Sequence, residues 1–312
     1  MRLIPAACLA TCLALPAAAE PFTFVALGDA PYGDPAEVYA PFETLIDTIN
    51  ATDPTLVIHV GDTKSGGTEC SDAMLDDQLA FLGTFAAPTL YTPGDNEWTD
   101  CHRANAGGFD PLERLAYIRD TYFADPATTF GAETLEVAHQ GADGYPENAR
   151  LTHGGVTFVT AHVVGSNNNF EIRDSAAVDE FFARDAATTR WLRDSFADAA
   201  GSDAIVVAIH ADMFEFDFGP SWSPETWLRH SGFQNFGPAL IEEAAAYDKP
   251  VLLIYGDSHR FRQSRPFAEG APNVLALEVP GADAMHAVRI GVDTTLPGAF
   301  TISLLRNPAL TN

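Results

Sequence analysis

Four apolar runs in this 312-residue chain end on a glycine followed by an aspartate. Residues 22–27 (FTFVAL) lead into Gly28-Asp29, and 56–60 (LVIHV) into Gly61-Asp62. Residues 90–93 lead into Gly94-Asp95-Asn96-Glu97, and 251–255 (VLLIY) into Gly256-Asp257-Ser258-His259. A fifth run, Val207-Ala208-Ile209, closes on His210. One Gly-Asp pair after a strand is an ordinary turn or helix cap. Five such ends brought to one rim are another matter, because clustered carboxylates repel unless cations lie between them. Carboxylates with imidazoles are the donor set of divalent metals. Glycine before each aspartate permits a tight turn and close approach to a ligand.

The elements that must carry these groups follow from hydrophobic periodicity. Continuous Val/Ile/Leu runs at 22–27, 56–60, 89–92, 156–161, 204–209 and 251–255 suit strands covered on both faces. Amphipathic helical patterns occupy 39–51, 71–85, 111–122, 176–199 and 238–247. Strands alternating with helices indicate an α/β fold, in which functional groups gather beyond the carboxyl ends of strands. The tail differs, reading as successive strands at 273–279, 286–292 and 300–305. Asn167-Asn168-Asn169, after a strand end with His162, either faces the site or is a polar turn. No P-loop glycine–lysine signature and no G-x-S-x-G elbow occurs.

Residues 1–19 have a basic start at Arg2, an apolar stretch and an Ala17-Ala18-Ala19 cleavage pattern, so they are expected to be a signal peptide. Residues 20–312 then form a single domain, exported to the periplasm or secreted, with no membrane anchor after cleavage. The mature part keeps two cysteines, Cys70 and Cys101, which an oxidising compartment would join; the other reading is two free buried thiols. The chain carries 17 Lys+Arg against 43 Asp+Glu, a net charge of −26, with 46% hydrophobic residues. That apolar content excludes a disordered chain. The scarcity of cations excludes a nucleic-acid-gripping surface and an anionic membrane face.

The order Asp29, Gly61-Asp62, Gly94-Asp95-Asn96-Glu97, His210, Gly256-Asp257-Ser258-His259 resembles that of the calcineurin-like metallophosphoesterases, which include purple acid phosphatases. Their pattern is D-x-H, G-D, G-N-H-(D/E), H and G-H-x-H, and the likeness spans residues 22–262. It implies an α/β double β-sheet sandwich flanked by helices (αββα). It also implies hydrolysis of small phosphorylated substrates at a two-metal site, by attack of a metal-bound water on phosphorus. By position, the first metal would take Asp29, Asp62 and His259. The second would take Asp62, Asp95, His210 and Asp257.

This chain departs from the pattern at several places. Pro31 stands where the family has the histidine of D-x-H, Asp95 where it has asparagine, and Asp257 where it has the first histidine of G-H-x-H. Asn96 stands where the family has the histidine that serves the leaving group or transition state. An oxygen-rich set favours manganese, magnesium or calcium over zinc, with iron also allowed. The first metal, with three protein ligands, is expected to bind weakly, so one or two ions are held. His102 or Asp212 is the candidate general acid beside Asn96. Lys64, His102, Arg103, Arg260, Arg262 and Arg265 are candidate cations for the substrate phosphate. A disulfide between Cys70 and Cys101 would tie together the two loops after Asp62 and Asp95. Two alternatives stand beside the esterase: a catalytically impaired member that binds metal or phosphate, and an exported domain whose acidic rim holds calcium for stability.

Overall fold

The computed structural model describes residues 19–214 and 231–310. The leader expected at 1–19 therefore lies outside the described residues, apart from Ala19.

Two mixed β-sheets form the centre. The first has five strands in the order β12 (Phe300–Leu305), β11 (Ala287–Val292), β1 (Phe22–Leu27), β2 (Val57–His59) and β3 (Thr89–Tyr91). The second has seven, in the order β4 (Ala138–Gln140), β5 (Tyr145–His153), β6 (Val156–Thr160), β7 (Ala204–Ala208), β8 (Val251–Tyr255), β10 (Val274–Glu278) and β9 (Arg262–Ser264). β1, β2 and β3 run parallel, as do β6, β7, β8 and β10.

Side-chain alternation explains the layering. Phe24 and Ala26 of β1 meet Phe158, Val206, Ala208, Leu252 and Ile254 of the second sheet in one apolar layer. Val25 and Leu27 point the other way, against Phe42, Leu45, Ile46 and Ile49 of the helix Pro35–Asn50. On the far side, Ile205, Val207 and Leu253 pack on Trp191, Leu192 and Phe196 of the helix Ser175–Asp198 and on Leu240 of Phe236–Tyr247. Both faces of the inner strands are thus covered, giving the helix–sheet–sheet–helix layers of the αββα expectation.

The first helix starts earlier than periodicity alone indicates. Asp34 caps it through Ala36 N, and Pro35 opens it, a combination that favours helix initiation. β5 escaped the sequence reading because its core-facing residues include Glu147 and Asn148, both fully buried. Arg119 and the His162 ring pair with Glu147, so polar tertiary partners hold this strand alongside the buried Ala149 and Leu151. Among the described residues no helix is long and apolar enough to cross a membrane.

Candidate metal centre

The parallel strands deliver their ends to one rim. Asp29 follows β1, Asp62 follows β2, Asp95 follows β3, His210 follows β7, and Asp257 and His259 follow β8. Asp29, Asp62, Asp257 and His259 all have left-handed backbones, with φ of 52°, 55°, 75° and 62°. Aspartate tolerates that region better than most residues, while a histidine there is unusual. The glycines are explained by contact. A Cβ on Gly94 would lie 2.1 Å from Asp62 Oδ1, and one on Gly256 would lie 2.3 Å from Asp29 Oδ2. Only a bare Cα lets the turns close on the carboxylates.

Backbone donors aim the groups further. Asp257 N–H donates to Asp29 Oδ1 at 3.0 Å, and Asp212 N–H donates to Asp257 Oδ2 at 3.0 Å. His210 Nδ1 lies 3.0 Å from the carbonyl of Val60, which can only accept, so Nδ1 carries the proton. Nε2 then lies 2.9 Å from Asp95 Oδ1 and 3.3 Å from Asp62 Oδ1. Burial lowers the pKa of His210, which favours the neutral ring. A neutral ring sets a nitrogen lone pair against carboxylate oxygens, an arrangement that a cation resolves.

The carboxylates make the same demand. Burial first, then Asp95, Glu97 and Asp29, raise Asp62 well above the usual aspartate range. Burial raises Asp29 likewise, against a lowering hydrogen bond from Asp257 N–H. Asp29 Oδ2 is buried without a hydrogen-bond partner. Donor atoms of Asp29, Asp62 and His210 lie within 4.8 Å of one another, as do those of Asp95, His210 and Asp257. His259 Nε2 is 3.7 Å from Asp29 Oδ1. The residues therefore fit divalent ions, with His210 common to both compact groups.

Three residues at the site carried no role in the sequence reading. Glu97 is fully buried and accepts from Gly94 N at 2.9 Å, Asp62 N at 3.2 Å, Thr63 N, and Thr63 Oγ1 at 2.8 Å. It thereby fastens the β2 loop to the β3 loop. Tyr32 donates its hydroxyl to Asp62 Oδ2 and receives Asn96 Nδ2 at 2.8 Å, and its ring meets His259 edge-on at 5.1 Å. Asn96 also donates to both Asp62 oxygens, from its backbone and its amide. Ser166 Oγ lies 2.7 Å from Asp95 Oδ2. The Asp29-x-x-Tyr32 spacing was in the sequence, but nothing local showed that the ring folds back over Asp62.

Cys70 and Cys101 form a disulfide, with a Cα separation of 5.7 Å. The Cys101 sulfur lies 3.3 Å from Glu97 O, so the cross-link sits directly behind the β3 loop.

The remaining candidates are less central. Lys64 is buried, and its ammonium donates to the carbonyls of Thr68 (3.1 Å) and Ser65 (3.3 Å) in its own loop. His102 is exposed, with Nδ1 2.7 Å from Thr99 O. Arg103 pairs with Asp100 at 2.7 Å. Asp212 is buried beside Asp257, with its carboxylate 3.1 Å from Arg262 Nη2. Arg262 also meets Glu278 at 2.8 Å and Tyr255 Oη at 3.2 Å. Arg260 and Arg265 are exposed, and Arg265 donates to Pro272 O. Asp212 and Arg262 thus border the centre, whereas Lys64 is turned into its own loop.

The αββα layers with acids and histidines at strand ends are those of a metallophosphoesterase. The chain belongs to the calcineurin-like phosphoesterase family, whose profile matches residues 22–261. No curated protein sequence matches it. Among solved structures, a dimetal phosphatase from Danio rerio is similar with a TM-score of 0.54 at 10% identity, covering 92% of this chain and 99% of that one. A purple acid phosphatase from yellow lupin (Lupinus luteus) seeds gives 0.53 at 11% identity, covering 93% of this chain. This chain spans about half of the lupin protein, 55% of its length. At such identities the likeness speaks for the fold.

Proposed function

We propose that the protein is an exported phosphoesterase that hydrolyses small phosphate esters with one or two divalent ions. The observation that carries this reading is His210: its protonated Nδ1 on Val60 O leaves Nε2 facing Asp95 and Asp62. Family membership gives metal-dependent phosphoester hydrolysis in general. Asp29, Asp62 and His259 would hold one ion, and Asp62, Asp95, His210 and Asp257 the other. Divalent ions held there would supply Lewis acidity toward the phosphoryl oxygens and the attacking water.

The chain's own groups do the rest. Tyr32 and Asn96 are neutral donors crowded on Asp62, and burial raises the Tyr32 phenol well above its usual range, so it keeps its proton. They orient the Asp62 carboxylate that the two ions would share. Arg262, behind Asp212, holds that carboxylate in place. With an amide at position 96 where an imidazole could transfer a proton, substrates with good leaving groups are favoured. Export rests on residues 1–19 and on the Cys70–Cys101 disulfide.

The test is turnover of nitrophenyl phosphate and its bis-nitrophenyl diester. Chelated protein would be given manganese, magnesium, calcium, zinc or iron, with Asp62→Asn as control. Metal-dependent turnover lost in Asp62→Asn is expected. Tight metal binding with no turnover of either ester would instead mark the impaired member of the family.

A further inference from the structure

Gly165 to Asn169 builds an element rarely made from ordinary residues. Ser166, Asn167, Asn168 and Asn169 have φ of 47°, 54°, 57° and 59°, a left-handed turn of four consecutive non-glycine residues. Left-handed helical backbone is strained for most L-amino acids, and asparagine is among the few that visit it readily. The run Asn167-Asn168-Asn169 is therefore suited to the turn, while Ser166 is not.

A buried cation locks it. Arg184 is fully buried and ion-paired with Glu180 at 2.6 Å. Its guanidinium donates to Asn168 Oδ1 (2.7 Å), Asn168 O (2.9 Å) and His162 O (2.9 Å). Asn167 Oδ1 accepts from Gly232 N at 2.7 Å, and Asn168 Nδ2 donates to Gly232 O at 3.1 Å. Strain held this firmly clusters at functional sites, and here the turn touches two of the candidate ligands. A Cβ on Gly165 would come within 2.8 Å of Asp257 Oδ1. Ser166 Oγ lies 2.7 Å from Asp95 Oδ2 and 2.8 Å from Asp100 Oδ1. Asp100 has a cation of its own in Arg103. Asp95 meets His210 through Oδ1 and Ser166 through Oδ2.

We propose that Ser166 is a positioning residue for the metal centre: its hydroxyl holds Asp95 Oδ2, so that Oδ1 faces His210, with which it would hold a divalent ion. This rests on the metal reading above. Partners that orient metal-binding carboxylates typically matter 10–100-fold in metal affinity.

The test compares Ser166→Gly and Ser166→Ala with wild type, by calorimetric titration of the chelated full-length protein with manganese and by thermal melting. Glycine adopts the left-handed turn without strain, so Ser166→Gly should fold and melt no lower than wild type. Both variants should nevertheless bind manganese about 10–100-fold more weakly at one site. If residue 166 merely shapes the turn, Ser166→Gly will titrate like wild type, and the proposal is overturned. Loss of a cooperative melt in both variants would make Ser166 a folding determinant and overturn it too. A wild type that takes up no manganese would instead sink the metal reading itself, and this proposal with it.

Discussion

Glu97 shows how far a single side chain can organise a site without being among its candidate ligands. Four donors from Asp62, Thr63 and Gly94 converge on its carboxylate. Glu97→Ala leaves these buried donors without an acceptor, and each unsatisfied group costs about 1–3 kcal/mol. We expect a loss of about 3 kcal/mol or more, read as a lower urea midpoint at unchanged slope. Tyr32 is the opposite case, near the chemistry but a small part of the fold. Tyr32→Phe removes one hydroxyl from Asp62 and should lower phosphoesterase activity about 10-fold or more. Its melting temperature should stay within a few degrees. An unaffected rate would remove Tyr32 from the site's working parts.

At the scale of elements, the strand-end turns determine the geometry. Gly94→Ala places a methyl 2.1 Å from Asp62 Oδ1, against backbone that has no room to yield. Manganese binding should be lost, and overpacking should destabilise the chain by about 1–3 kcal/mol. Normal manganese uptake by Gly94→Ala would show that the turn is looser than the structure indicates. These turns were legible in the sequence because each follows an apolar run: β1, β8 and β12 have the bounds that periodicity indicates. Asp29, Asp62, Asp95, His210, Asp257 and His259 come together for the same reason, since parallel strands end on one rim. Elements stabilised by partners distant in sequence stayed hidden. β5 buries Glu147 against Arg119 and His162, and the left-handed turn at Ser166 depends on Arg184 from a later helix. No local pattern announces such pairings. The buried Lys64 ammonium is another case: a lysine two residues after Asp62 reads as a phosphate ligand until the loop is seen to fold around it.

For the whole molecule, the net charge of −26 divides into surface acids and a buried acidic centre. Asp29 and Asp62 have folded-state pKa values raised by burial above those of the unfolded chain. In metal-free protein, the stability they contribute is present below the unfolded carboxylate range, near pH 4, and is lost as pH rises through the raised values. A bound cation offsets that loss. The difference in melting temperature between manganese-loaded and chelated protein should therefore grow from pH 5 to pH 8. A difference that shrinks with pH would contradict the assignment. The disulfide contributes separately. Opening the Cys70–Cys101 link, which spans 31 residues, should cost about 3–4 kcal/mol in the chain-entropy model, read by denaturation in reductant. The central claim, that the strand-end acids and histidines form a metal-dependent esterase centre, is tested most directly by titrating chelated protein with manganese. Bound metal and hydrolysis of nitrophenyl phosphate or its diester would be followed together. Activity should be absent in chelator and rise with bound manganese to a plateau at one or two ions per chain. Hydrolysis that persists in chelator, or a chain that binds no ion, would contradict it.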